Sequence, residues 1–296
     1  MLLWRIWRSM THPPRQDPVF QRVFSAPRLQ EPRITGLFIP WMMMFAGGGL
    51  CWALTFDWLP TLLIVALLSA NTIFGLWGGT AVSQVIVAEK ESSRYSLLAT
   101  LPGGTLMTSW AMGLALLHRR PAFVWMPFLV RLGAFIIGLT LALMACMTFF
   151  LVTYGPGPES SIVANYRVIQ QTIAACGLVA IFFFDHFYSI VTAVLVGIIA
   201  PVDVINRYEA QSRTIMLFLG TQITVYVVTL LVFIAAAPLA STISDGIMGA
   251  GFRVLLTVGV YLLQREALIR WLWSVMCQRL NAGTPEVDDL LAITIG

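Results

Sequence analysis

The chain has 296 residues, 58% of them apolar and 11% charged, with a formal net charge of +4 and a mean hydropathy of +0.82. This composition excludes a disordered chain and leaves little polar surface for a soluble domain; the arginines flank apolar runs instead of forming one basic face, which excludes a nucleic-acid binder. The four cysteines, Cys51, Cys146, Cys176 and Cys277, have no metal-ligand spacing and read as small packed hydrophobes, so neither a metal nor a cofactor is expected.

The first predicted element is an arm over 1–33, rich in arginine and broken by prolines at 13, 14, 18, 27 and 32. Its start, Met1 to Arg8, forms a short amphipathic turn, and the arm reads as a cytoplasmic segment lying along a membrane. Two long apolar runs follow, with predicted spans at 34–56 and 58–88 separated by Asp57. The second is longer than a bilayer needs, and Gly75, Gly78, Gly79 and Ala81 would let another helix approach it closely.

A charged element over 89–100 comes next, then the short apolar stretch Thr105–Leu117, expected to lie at the membrane interface. A third span is predicted at 122–152, stopped by Tyr154-Gly-Pro-Gly-Pro158, with 155–166 as an external loop. The stretch 168–205 admits two readings, one long span or two spans turning at Asp185-His186. If it crosses once, Arg207, Arg213, Arg265, Arg270 and Arg279 fall on the same side as the arm, a positive-inside pattern. The last spans are then 214–237 and 247–268.

These elements define an all-α integral membrane protein of about six transmembrane helices. The N-terminal arm occupies 1–33, the transmembrane domain 34–268 with a cytoplasmic coupling segment at 89–120, and a cytoplasmic tail 269–296. Both termini face the cytoplasm of a bacterial inner membrane in this reading.

Polar groups within apolar helices are costly and mark structural pairs or functional sites. Arg131 lies in the third span and either snorkels or faces a substrate path. Asp185 and His186 either face water at a turn, pair with an arginine, or form an intramembrane polar site. Asn71, Gln84, Gln170, Gln171 and Gln222 are candidates for hydrogen bonds between helices.

The run Ala88-Glu-Lys-Glu-Ser-Ser-Arg-Tyr-Ser-Leu-Leu-Ala-Thr-Leu-Pro102 resembles the stretch after the second span in membrane subunits of type-2 ATP-binding-cassette exporters. In that family it forms a coupling helix that docks into a nucleotide-binding subunit. The resemblance implies partner-binding roles for Glu89, Glu91, Arg94, Leu97, Leu98 and Pro102. It also implies a separate cassette ATPase as partner, membrane lipid around the spans, and a dimer with itself or with a related subunit.

No G-x-x-x-x-G-K-[ST] phosphate loop occurs, and Lys90 is the single lysine, so any ATP hydrolysis falls to another subunit and the chain itself is not an enzyme. The leading expectation is the membrane subunit of an ATP-driven exporter. The alternative is a non-transporting structural or assembly subunit of a larger membrane complex.

Overall fold

The computed structural model describes residues 2–14, 16–25, 59–100, 104–119, 160–243 and 247–283, together with positions 123, 142, 146, 286, 287 and 290. Among them are eight α-helices: α1 (Leu2–Thr11), α2 (Pro18–Ser25), α3 (Leu59–Glu91), α4 (Arg94–Ala99), α5 (Gly104–Arg119), α6 (Ser160–Ile199), α7 (Arg207–Ile243) and α8 (Ile247–Arg279).

Helix α6 is the axis of the bundle. Its 40 residues run unbroken through Asp185-His186, so the turn reading is wrong and the sequence from 160 onward, expected to be partly loop, is already helical. Over Tyr188–Ala200 every residue is buried, because α3, α5, α7 and α8 all pack around α6. Small residues set how closely α3 lies on it. A methyl group at Gly79 would stand 2.8 Å from the Ala193 carbonyl oxygen, and one at Gly197 would stand 2.6 Å from that of Gly79. Gly75 and Gly79 are four apart, as are Ser189, Ala193 and Gly197, so two ridges of small residues meet backbone to backbone. Gly78, also expected at such a contact, has open space where its side chain would be.

The end of α6 is closed by the single lysine. Lys90 donates to the carbonyls of Pro201 at 2.5 Å and Val202 at 2.6 Å, placing a cation in the turn just beyond the helix, near the negative end of its dipole. Its ammonium also lies 5.4 Å from the Tyr95 ring centroid, and burial lowers its pKa.

The N-terminal arm joins the core. In α1, Ile6, Trp7 and Met10 are buried, and Trp7 meets the Phe187 ring edge-on at 4.7 Å. Helix α2 begins with Asp17, whose Oδ1 accepts from the amides of Val19 at 2.7 Å and Phe20 at 3.2 Å. This is an N-cap, with Pro18 at the first helical position where its missing N–H costs nothing. Helix α5, expected at an interface, is instead among the most buried elements: Leu106, Met112 and Leu114 are fully covered, and Trp110 packs edge-on against Trp273 at 6.0 Å.

This architecture corrects the multi-pass expectation. Among the described residues two helices have the length and apolar composition to cross a membrane, Ala180–Ile199 and Arg207–Leu239, against the six drawn from the sequence. The first is 67% buried by its neighbours, as a core helix is. Apolar runs of this length fit a helix enclosed by protein as well as one enclosed by lipid. The positive-inside argument also fails at Arg265, counted as cytoplasmic but wholly buried between helices. The fold is an all-α helical bundle, and the six-span layout and the inner-membrane placement with both ends cytoplasmic are withdrawn. Span 34–56, span 122–152 apart from positions 123, 142 and 146, and Arg131 lie outside the described residues.

Candidate functional site: a buried ionic clamp and an uncovered helix face

The densest chemistry is a polar network enclosed by four helices. Asp185 on α6 has no exposed surface. Its Oδ1 accepts from Tyr261 Oη at 2.7 Å and from Arg265 Nη2, and its Oδ2 accepts from Tyr226 Oη at 2.9 Å and Asn71 Nδ2 at 3.2 Å. Arg265 adds bonds from Nη2 to Gln222 Oε1 at 2.6 Å and from Nε to Tyr261 Oη at 3.0 Å. Gln222 Nε2 donates onward to Ser189 Oγ at 3.0 Å.

Helical spacing builds this constellation. Gln222 and Tyr226 are four apart on α7, Tyr261 and Arg265 four apart on α8, and Asp185 and Ser189 four apart on α6, so each pair points from one face at neighbouring levels. Asn71 supplies the contact from α3 and, through Oδ1, accepts from His186 Nδ1 at 3.0 Å. That bond fixes a proton on Nδ1 in the neutral ring. His186 is pushed down to about 4, first by burial, with the Asp185 carboxylate working in the opposite direction. Burial likewise raises the phenols of Tyr226 and Tyr261. Burial opposes the charge on Arg265, but Asp185 and the two tyrosines more than offset it.

An ion pair with both partners fully desolvated requires good geometry and further hydrogen bonds to hold. Here each Asp185 oxygen has two donors. Arg265 Nη1 is a buried donor with no partner. With no exposed surface on Asp185 or Arg265, the network tethers α3, α6, α7 and α8 in one register. Among the described residues no group of three metal-ligating side chains occurs.

The sequence singled out Asp185 and His186, and it marked Asn71 for a bond between helices, which it makes to both, but it did not mark Arg265, Tyr261 or Tyr226 as partners. Arg265, Tyr261 and Tyr226 were readable as polar residues at four-residue spacing within apolar helices, and Gln222 had been marked for a bond between helices, which it makes.

The partner-binding candidates of the charged element make separate contacts within the chain. Glu89 pairs with Arg22 at 3.4 Å and Glu91 with Arg207 at 2.7 Å, both at the surface. Leu98 packs partly against the core. Arg94 is exposed, as is Leu97 at 70%, on a helix of six residues. Pro102 lies outside the described residues.

A second feature is the outer side of α7. Its inner side carries Thr214, Phe218, Gln222 and Val225 into the bundle, whereas Met216, Ile223, Val227, Leu230 and Ile234 are exposed. Only 17% of its most apolar stretch is buried.

No family model matches this chain, and the comparisons with curated proteins and with solved structures likewise find no match. The resemblance to exporter membrane subunits therefore rests on one short run, whose residues here form separate surface ion pairs and a core contact. With two membrane-length helices among the described residues in place of six, the exporter assignment and the transport role are withdrawn.

Proposed function

We propose that the chain is a non-enzymatic assembly protein: a helical bundle that offers the outer face of α7 to a protein helix, with the Asp185–Arg265 clamp holding that face in place from behind. The observation that carries this reading is the uncovered apolar side of α7. Monomeric proteins rarely expose contiguous apolar patches larger than a few hundred Å², and this side runs from Met216 to Ile234 with no charged residue among its exposed positions. Through Gln222 and Tyr226, the inner side of the same helix is bonded into the clamp, so the outer side is presented on a rigid support.

Arg94 and Leu97 are assigned a smaller contact in the same assembly. They lie just beyond the Glu91–Arg207 bridge that ties the end of α3 to the start of α7, where Ile205 and Tyr208 are also exposed.

The test is the mass of the natively isolated full-length chain beside that of the double variant Leu230→Asp, Ile234→Asp. The reading expects the wild type in a species heavier than one chain and the variant as a single chain with unchanged helix content. Wild-type protein that stays a single chain at every concentration contradicts it.

A further inference from the structure

We infer that the helix received by α7 is the α7 of a second copy of this chain, packed antiparallel about a two-fold axis between Ile223 and Val227. The inference rests on the assembly reading above and names its partner.

The spacing is the first argument. Exposed positions Met216, Gly220, Ile223, Val227, Leu230 and Ile234 follow intervals of four, three, four, three and four. That alternation lets one helix lay a continuous seam against another of the same kind. The inner residues Thr214, Phe218, Gln222 and Val225, at intervals of four, four and three, lie on the opposite side and are occupied by the bundle, so the helix carries two faces.

Size complementarity sets the partner and its direction. When two copies of the seam run antiparallel about its midpoint, Ile223 faces Val227, Met216 faces Ile234, and Gly220 faces Leu230. A side chain at Gly220 would meet nothing within 4 Å in the single chain, so Gly220 leaves a hollow that Leu230 of a second copy can fill. In a parallel pair Gly220 would oppose Gly220 and leave a void at the centre of the seam, which packing disfavours. Antiparallel packing also sets the two helix dipoles head to tail.

Charge and area agree. Between Arg213 and Asp245 the sequence has no Asp, Glu, Lys, Arg or His, so two like copies meet without repulsion, and a charged partner helix would find no charge to pair with. At about 100 Å² for each half-exposed residue, the five side chains of the seam offer roughly 500 Å² per copy, and the flanking Leu217, Val228 and Leu231 bring the exposed apolar face to roughly 800 Å², which is what one partner contributes to an interface of standard size.

The test uses the full chain with its four native cysteines changed to alanine, carrying either Met216→Cys or Ile234→Cys, with helix content checked in each. The inference expects oxidation of the mixture to give a covalent dimer joining position 216 of one copy to 234 of the other, with severalfold less cross-linking in either variant alone. Cross-linking within Met216→Cys alone as extensive as in the mixture overturns the antiparallel arrangement. A heavier species without any 216–234 cross-link assigns the face to a different protein, overturning this inference and sparing the assembly reading. A single chain without cross-links, including one kept dispersed only by lipid, overturns both.

Discussion

Removing Asp185 alone should be among the most damaging single changes to this bundle. Asp185→Ala deletes the acceptor of four hydrogen bonds, from Tyr261, Arg265, Tyr226 and Asn71, and leaves a guanidinium with no exposed surface without its counter-ion. Breaking a buried pair from one side costs about 3–5 kcal/mol, because an uncompensated charge stays in the interior. Against a total stability of roughly 5–15 kcal/mol this is a large fraction, and the corresponding fall in melting temperature is about 10 °C for a chain of this size.

Arg265→Met should cost less, since a carboxylate that keeps two tyrosine donors and an asparagine donor remains partly satisfied and can neutralise by taking up a proton. The informative protein is the double variant Asp185→Ala, Arg265→Met. With both charges gone, the remaining loss is that of the tyrosine, asparagine and glutamine groups left short of partners, at about 1–3 kcal/mol. The two single changes should therefore overshoot the double by about 2 kcal/mol or more, within the range seen for residues in direct contact. Denaturant unfolding followed by circular dichroism measures all four corners of this cycle. Additivity within about 0.5 kcal/mol would refute the claim that Asp185 and Arg265 form the clamp.

Three further outcomes follow from the packing. Gly79→Ala forces a methyl group onto the Ala193 carbonyl, where no side-chain rotation can relieve it, and should cost about 1–3 kcal/mol in unfolding; Gly78→Ala, with open space around it, should be neutral or slightly stabilising. Lys90→Met removes the cation from the carbonyls of Pro201 and Val202 and should lower stability by about 1 kcal/mol, with the loosening visible as faster amide exchange near the end of α6. His186, held down at about 4 in the fold against about 6.5 unfolded, is protonated more readily in the unfolded chain between those values. Its contribution is therefore intact above about pH 6.5 and is lost as pH falls toward about 4, by at most about 3 kcal/mol. The stability–pH curve of His186→Gln should be flatter across that window, and an unchanged slope would show that other groups carry it.

Much of the helix content was legible in the sequence, and the environment of the helices was not. The long apolar runs announce helices, yet apolarity alone does not say whether protein or lipid encloses them. Thr105–Leu117 shows why: too short for a span, it was placed at an interface, but its residues are covered on nearly every side by protein. The same limit misled the charge count, because Arg265 looks like a flanking arginine until Tyr261 one turn earlier and Asp185 eighty residues away are seen to bond it. Asp185 was marked because an acid within an apolar run needs a partner, but nothing local names that partner. Gly75 and Gly79 were legible as close-packing positions from their size. What they pack on, the Ser189–Ala193–Gly197 ridge, is a tertiary fact. Glu89 and Glu91 carried a family pattern, and their surface ion pairs with Arg22 and Arg207 are again contacts across the chain.

The central claim, that protein covers the outer face of α7, is tested most directly by two methionines of nearly equal exposure in the single chain: Met216 on the seam at 71% and Met248 off it at 76%. Peroxide converts an accessible methionine to its sulfoxide, and mass spectrometry reads each site separately across a series of chain concentrations in lipid-free solution. The account predicts that Met216 becomes progressively protected as concentration rises while Met248 oxidises at a constant rate. Equal oxidation of the two at every concentration would contradict it.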